Sequence, residues 1–209
     1  MKGGNLLLPK SDFNHVILIG KLEDPFRFAY NEKNESIYTG KILLARLSRE
    51  VDRIPIEISK KFLGNLEKDV MMSKIKVVGH IISYTHNGKL KFTVRVDEPI
   101  TLVSMDEPDC NHVKLSGAIC STIKCRERQN SKTVCDFRIA SVSESGEKAY
   151  VPMIAWNDLA RFISGFKCGS RLFLEARIQS RNFKVKNPDG NSEERISYEL
   201  SIKKIRKVK

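Results

Sequence analysis

The first 109 residues of this 209-residue chain contain no cysteine, and all five thiols (Cys110, Cys120, Cys125, Cys135 and Cys168) fall after them. An odd count confined to one half suits reduced thiols better than a disulfide framework. A zinc site on Cys120, Cys125 and Cys135 is disfavoured too, because their spacing departs from the common two-by-two pattern. No apolar run reaches the roughly 18 residues of a membrane span. The opening residues carry three leucines before Pro9, too few for a signal-peptide core, so a cytoplasmic place is expected. Carboxylate pairs, Cys/His pairs and glycine-rich phosphate loops are missing from any convincing context, and Gly3-Gly4 lies in an aperiodic opening arm, residues 1–13. The sequence therefore reads as a binding protein, with no catalysis, cofactor or metal.

Anionic excess is missing as well. The net charge is +12 with a pI near 9.5. Seventeen basic residues face twelve acidic ones through residue 105, and twenty face thirteen after it, so the excess is shared between the halves. Such a balance favours a polyanionic partner, nucleic acid above all, although solubility alone would also be served by it.

What is present is a repeat. Residues 14–20 read Asn-His-Val-Ile-Leu-Ile-Gly and residues 111–117 read Asn-His-Val-Lys-Leu-Ser-Gly, 97 positions later. The offset holds through Pro55 and Pro152, Ser73 and Ser170, Ile81 and Ile178, and Ser83 and Ser180. Solenoid units are shorter, so two copies of one small domain are expected, residues 1–105 and 106–209, joined through an acidic, proline-containing linker.

In the first copy Val16, Leu18 and Leu22 outline a strand that bends at Gly20, and the polar residues 31–35 break the pattern. Ile42, Leu43, Leu44 and Leu47 supply a second strand, and Ile54, Ile56 and Ile58 a third. Phe62, Leu63 and Leu66 then fall at helical spacing over residues 60–69, with Ser59 placed to cap. Ile75 to Ile81 and Phe92 to Val96 make two more strands about the Asn87-Gly88 hairpin signal. The second copy repeats this order over 113–119, 134–140, 150–154, a helix over 157–164, 171–178 and 196–205, but spans 184–194 with a long polar loop. Three strands, one helix and two strands is the order of the OB-fold, so the fold expected is all-β with one short helix per domain: two tandem OB-fold five-stranded barrels.

The second half resembles the bacterial single-stranded DNA-binding protein family, through residues 111–117, Asp136-Phe-Arg-Ile-Ala140, the stretch 151–160 containing Trp156, and 167–181. The first half matches more weakly, through residues 14–20 and 73–83, and is similar to the related primosomal replication protein N. This resemblance implies an OB-fold that binds single-stranded DNA and commonly gathers four barrels, which a two-domain chain would reach as a homodimer. It also implies that an aromatic at the place of Trp156 stacks on a base and that residues near Arg181 and Phe183 contact the strand. The family's acidic tail has no counterpart in the basic 203–209, so replication or primosome proteins would have to be met by another route. Ser59 stands where the second half has Trp156, which makes the first domain the more structural one.

Single-strand binding needs cations to track phosphates and flat side chains on which bases stack. In the second half the candidates are Lys124, Arg126 and Arg128, then Trp156, then Arg181, Phe183, Lys184 and Lys186. In the first they are Arg46, Arg49 and Arg53, then Tyr84, His86, Lys89 and Lys91. Each has a plainer alternative: Trp156 in the core, Tyr84 and Phe183 packed on neighbouring strands, the arginines on a solvated turn, and His15 and His112 structural beside a subunit edge. An RNA-binding OB-fold protein and an assembly module for protein partners are the rival functions. For the favoured one, covering of exposed strands in replication, recombination or repair, a nucleoid-associated location is expected.

Overall fold

The computed structural model describes residues 12–64, 73–86, 89–128, 132–186 and 192–208, and within them every side chain except those of His86, Lys89 and Lys186. Most of the expected opening arm, the helical pattern after residue 64 and the Asn87-Gly88 turn lie outside the described residues.

β1 (Asn14–Leu22) buries every second residue, including Val16, Leu18 and Leu22. That alternation is what a strand with one core face requires. β2 (Arg27–Glu32) folds back on β3 (Glu35–Ala45), and β4 (Val51–Ser59) follows antiparallel, with Ile42 facing Ile54. After the short α1 (Lys60–Leu63) come β5 (Lys74–His86) and β6 (Lys89–Val96). β6 pairs antiparallel with β5 and parallel with β4, Ile56 facing Val94. β5 pairs with β1, whose end returns to β3 at Leu22 and Ile42, so five strands form a closed ring. Closure leaves no free edge between them.

β7 (Thr101–Leu102) adds a short edge to β5. The second ring is then built from β8 (Cys110–Ile119), β10 (Lys132–Val142), β11 (Lys148–Trp156), β12 (Arg171–Lys186) and β13 (Ser192–Lys207). β9 (Lys124–Arg128) hangs on β10, and α2 (Asn157–Ser164) lies between β11 and β12. It closes in the same way, with Met153 parallel to Leu200 and Ile119 opposite Ile139. Gly20 and Gly117 mark where each first strand changes partner. A Cβ there would stand 2.4 Å from the Leu43 carbonyl oxygen or 2.3 Å from that of Ala140, so only glycine lets the backbones approach. No helix among the described residues is long and apolar enough to cross a membrane.

Several expectations are corrected. β2 and β9 are strands where the sequence suggested only loops, because an exposed edge strand needs no apolar alternation. Leu47 lies beyond β3 and is fully exposed. Ser59 does not cap α1; its hydroxyl donates to Glu35 across the sheet at 2.7 Å. The described ends of the polar stretch 184–194 continue a two-stranded ribbon, Lys184 facing Glu194 and Lys186 facing Ser192. Cys125 and Cys135, directly opposite each other on β9 and β10, form a disulfide, while Cys110, Cys120 and Cys168 are free. Cross-strand pairing brought two thiols ten residues apart into reach, which a count of cysteines could not reveal.

The two rings are spliced along their first strands. β1 pairs antiparallel with β8, and Val16 faces Val113, its own counterpart 97 residues on. The pairing is therefore nearly two-fold about that point. The repeated asparagines tie each seam strand to its own ring in the same way: Asn14 of β1 exchanges two hydrogen bonds with the Ile81 backbone of β5 at 2.8 and 3.0 Å, and Asn111 of β8 does so with Ile178 of β12 at 2.8 Å each. Ser83 accepts from the Tyr150 N–H at 2.7 Å, and Ser180 from that of Arg53 at 3.2 Å. Phe92 and Tyr198 stack across the junction, centroids 5.7 Å apart.

Candidate nucleic-acid interface

The two-fold relation makes two equivalent clefts, one over each barrel. The cleft over the second barrel is a groove of about 610 Å³ whose walls come from both halves. Arg46 and Arg53 of the first half and Arg128, Trp156 and Arg181 of the second meet in it. Trp156 ends β11 and is half-buried, neither enclosed in the core nor free. The Arg128 guanidinium stands over its ring, 5.6 Å from the centroid. A half-covered indole beside exposed guanidinium groups is a stacking surface with phosphate-binding cations next to it.

The four arginines differ in how much charge they leave for a ligand. Arg46 is held by Asp52 and Glu50 and donates to the Ser180 carbonyl at 2.7 Å, which makes it a clamp between the halves. Arg53 is exposed and donates to Glu23 at 2.8 Å. Arg128 and Arg181 are exposed and carry no salt bridge among the described residues. Among the lining residues that sequence reasoning missed are Ile154, Gln179, Asn182 and Glu199. It also missed a role for Ser180, although the repeated Ser83 and Ser180 marked that position. Glu199 is half-buried, and burial lifts its carboxyl above the usual range, with Asp136 adding to that and Arg181, Arg126 and Arg128 opposing it.

The equivalent cleft over the first barrel has other chemistry. It measures about 260 Å³ and holds Glu32, Glu35, Glu57 and Glu147 around Arg95. Strand register shows the replacement: Glu32 faces Glu35 on β2 and β3, Arg128 faces Lys132 on β9 and β10, and Glu35 and Lys132 stand 97 apart. Glu57 likewise takes the place of Ile154 and Ser59 that of Trp156. Arg95 donates to Glu32 at 2.8 Å, to Glu147 at 2.9 Å, and to Glu57 and the Tyr30 hydroxyl at 3.0 Å each. Its charge is consumed within the protein. Burial works against the charged guanidinium, yet the surrounding carboxylates hold its pKa well above the ordinary value. The Tyr84 hydroxyl donates to Glu57 at 3.1 Å, and burial with that carboxylate lifts the phenol to about 12.

A third cleft, about 870 Å³, lies on the two-fold relation and brings Tyr84 and Lys91 together with Phe183 and Arg195. Phe183 and Tyr84 are both partly exposed there, 38% and 43%. The remaining candidates are dispersed. Lys124 is exposed on β9, Arg126 is paired with Asp136, and Lys184 approaches Glu194 at 4.0 Å. Arg49 sits at positive φ in the turn after β3 and lines none of the three clefts. His15 and His112 lie on the β1–β8 seam, facing Lys114 and Ile17. The side chains of His86, Lys89 and Lys186 are outside those described.

The sequence model of the single-strand binding protein family matches residues 110–208, the second ring almost entire. The second domain therefore carries the sequence pattern of the single-strand binding protein family. Solved structures extend the likeness in fold to the whole chain. The wild-type single-stranded DNA binding protein from Thermus aquaticus superposes with a TM-score of 0.75 at 16% identity, covering 95% of this chain and 94% of its own. A deletion variant of that protein gives 0.73 at 17% identity, over 96% of each chain. At such identities the agreement speaks to the tandem OB-fold alone. The N-terminal domain of PriB from Thermoanaerobacter tencongensis is 31% identical over 44% of this chain and 97% of its own, with a TM-score of 0.39, too low to bear on the fold. No curated protein sequence matches the chain.

Proposed function

We propose that this protein binds and covers single-stranded DNA without requiring a defined sequence, and that the strand enters the groove holding Trp156. The observation that carries this is the meeting of Trp156 with Arg128, Arg181 and Arg53 in one cleft built by both halves. Duplex DNA offers no unstacked base to an indole at the floor of a groove, whereas a single strand presents both base faces and phosphates. Arg128 and Arg181 take the phosphates, and Trp156 stacks a base. From there Phe183, Tyr84 and Lys91 offer a second platform in the cleft on the two-fold relation. Lys124, Arg126, Arg49 and Lys184 add diffuse attraction away from the groove. The match of residues 110–208 to the single-strand binding protein family supports the same reading.

The chain divides functionally after residue 105, with the second domain supplying the stacking surface and the first supplying a wall. Two chains associate to give four barrels. Half-buried His15, Ile17, Ile19 and His112 on the outer face of the seam are the surface that such a dimer would cover. The setting is replication, recombination or repair in the cytoplasm at the nucleoid, where replication or primosome proteins are the partners.

Fluorescence anisotropy with labelled oligo-dT, oligo-U and duplex DNA across a salt series tests this reading. Oligo-dT should bind tightly and salt-sensitively, better than duplex, and Trp156→Ala should weaken it. Oligo-dT binding no better than duplex would remove the proposed function, and preference for oligo-U would move it to RNA.

A further inference from the structure

Glu199 is out of place in a groove that serves a polyanion. It lies on β13 opposite Gln179, lines the groove with Trp156 and Arg181, and is half-buried. Its carboxylate makes no hydrogen bond and no salt bridge among the described residues. The charged groups around it are Arg181 on β12, Arg126 and Arg128 on β9, and Asp136 on β10, which interact with it only at longer range. A carboxylate left with open acceptor positions beside a stacking ring faces bases, because phosphates are drawn to the arginines and repelled from it.

We propose that Glu199 gives the groove a preference among bases, accepting a hydrogen bond from the exocyclic amino group of a base held at Trp156. This rests on the single-strand reading above and adds selectivity to it. An ionised carboxylate only accepts, and cytosine offers its N4 amino group while thymine presents a carbonyl at the same position. Thymine in the same pose sets its O4 against the carboxylate, two acceptors facing each other, and has to shift in the groove to offer its N3–H instead. A cytosine-bearing strand is therefore held more tightly than a thymine-bearing one of equal length and charge. The two pyrimidines also have equal ring size, so stacking does not separate them.

The test measures anisotropy of labelled oligo-dC and oligo-dT at mildly alkaline pH, where Glu199 is charged and oligo-dC stays unfolded, on the full chain and on Glu199→Gln. The wild type should bind oligo-dC about five- to tenfold more tightly than oligo-dT, the size of one good polar base contact. In Glu199→Gln the ratio should fall close to one, because the amide offers an acceptor to cytosine and a donor to thymine. An equal gain for both oligonucleotides in Glu199→Gln would show a merely repulsive carboxylate and overturn the proposal, as would no preference in the wild type. If neither oligonucleotide outbinds duplex DNA, the single-strand reading itself fails, a result distinct from a lost ratio.

Discussion

Two clefts related by the splice of β1 and β8 have the same backbone and opposite chemistry. The second barrel's cleft sets Arg128 over Trp156; the first barrel's sets Glu32 and Glu57 about Arg95, with Ser59 at the place of the indole. One leaves cations facing outward, and the other spends its cation on its own carboxylates. A duplicated fold thus carries one groove with outward cations, the proposed binding site, and one internal ion network, and the network ties the halves together because Glu147 of the second reaches both Arg95 and His80 of the first. Duplication of a barrel does not duplicate its site.

The largest effect should come from breaking the network. Arg95→Ala would leave Glu57, whose side chain is 3% exposed, with the Tyr30 and Tyr84 hydroxyls but without its cationic partner, at a cost of about 3 kcal/mol in urea unfolding. Oligo-dT affinity of the folded fraction should not change. The double substitution Glu57→Ile with Arg95→Ser copies the facing pair Ile154 and Ser201 of the other barrel and should recover most of that loss. Next comes the groove: Trp156→Ala should cost about 1–3 kcal/mol of oligo-dT affinity, whereas Ser59→Ala leaves affinity alone and costs about 1 kcal/mol of stability through its bond to Glu35. Arg128→Ala or Arg181→Ala should each flatten the slope of log affinity against log salt by about 0.7, and Arg95→Ala should leave the slope unchanged.

The smallest effect concerns pH. Burial of His80 disfavours its charge, but Asp97 and Glu147, both at 2.8 Å, outweigh that and raise its pKa above 6.5. Burial raises Glu147 in turn, while His80 and Arg95 outweigh it and bring the carboxyl below 4.5. A raised imidazole stabilises fully below its unfolded pKa and loses that contribution as pH rises through the folded value; a lowered carboxyl stabilises above its unfolded pKa and loses it on acidification. The clamp is therefore complete between about pH 4.5 and 6.5 and weakens on the alkaline side. Thermal unfolding should show a falling midpoint above neutrality that His80→Gln removes.

The closed rings were legible because their strands alternate and because the 97-residue offset doubled each signal. Glycines at 20 and 117 could be recognised as bends before their close contacts were known. β2 and β9 were not legible, since every β9 residue is exposed and carries no period. The disulfide was hidden for the same reason, being set by the register of an unseen strand. The candidate residues of the groove were read from the sequence as two separate sets, one in each half. Their assembly from Arg46 and Arg53 with Trp156 depends on the packing of β4 against β12, a contact between residues more than a hundred apart. Arg46 illustrates the limit of composition: a free cation in the sequence, a clamp in the fold.

Trp156 is the only tryptophan in the chain, so its fluorescence reports on one cleft and no other. Titration with oligo-dT at low salt should quench that emission to saturation at one strand segment per chain, and added salt should restore it. Binding of oligo-dT that leaves the tryptophan emission unchanged would place the strand elsewhere and contradict the assignment of this groove.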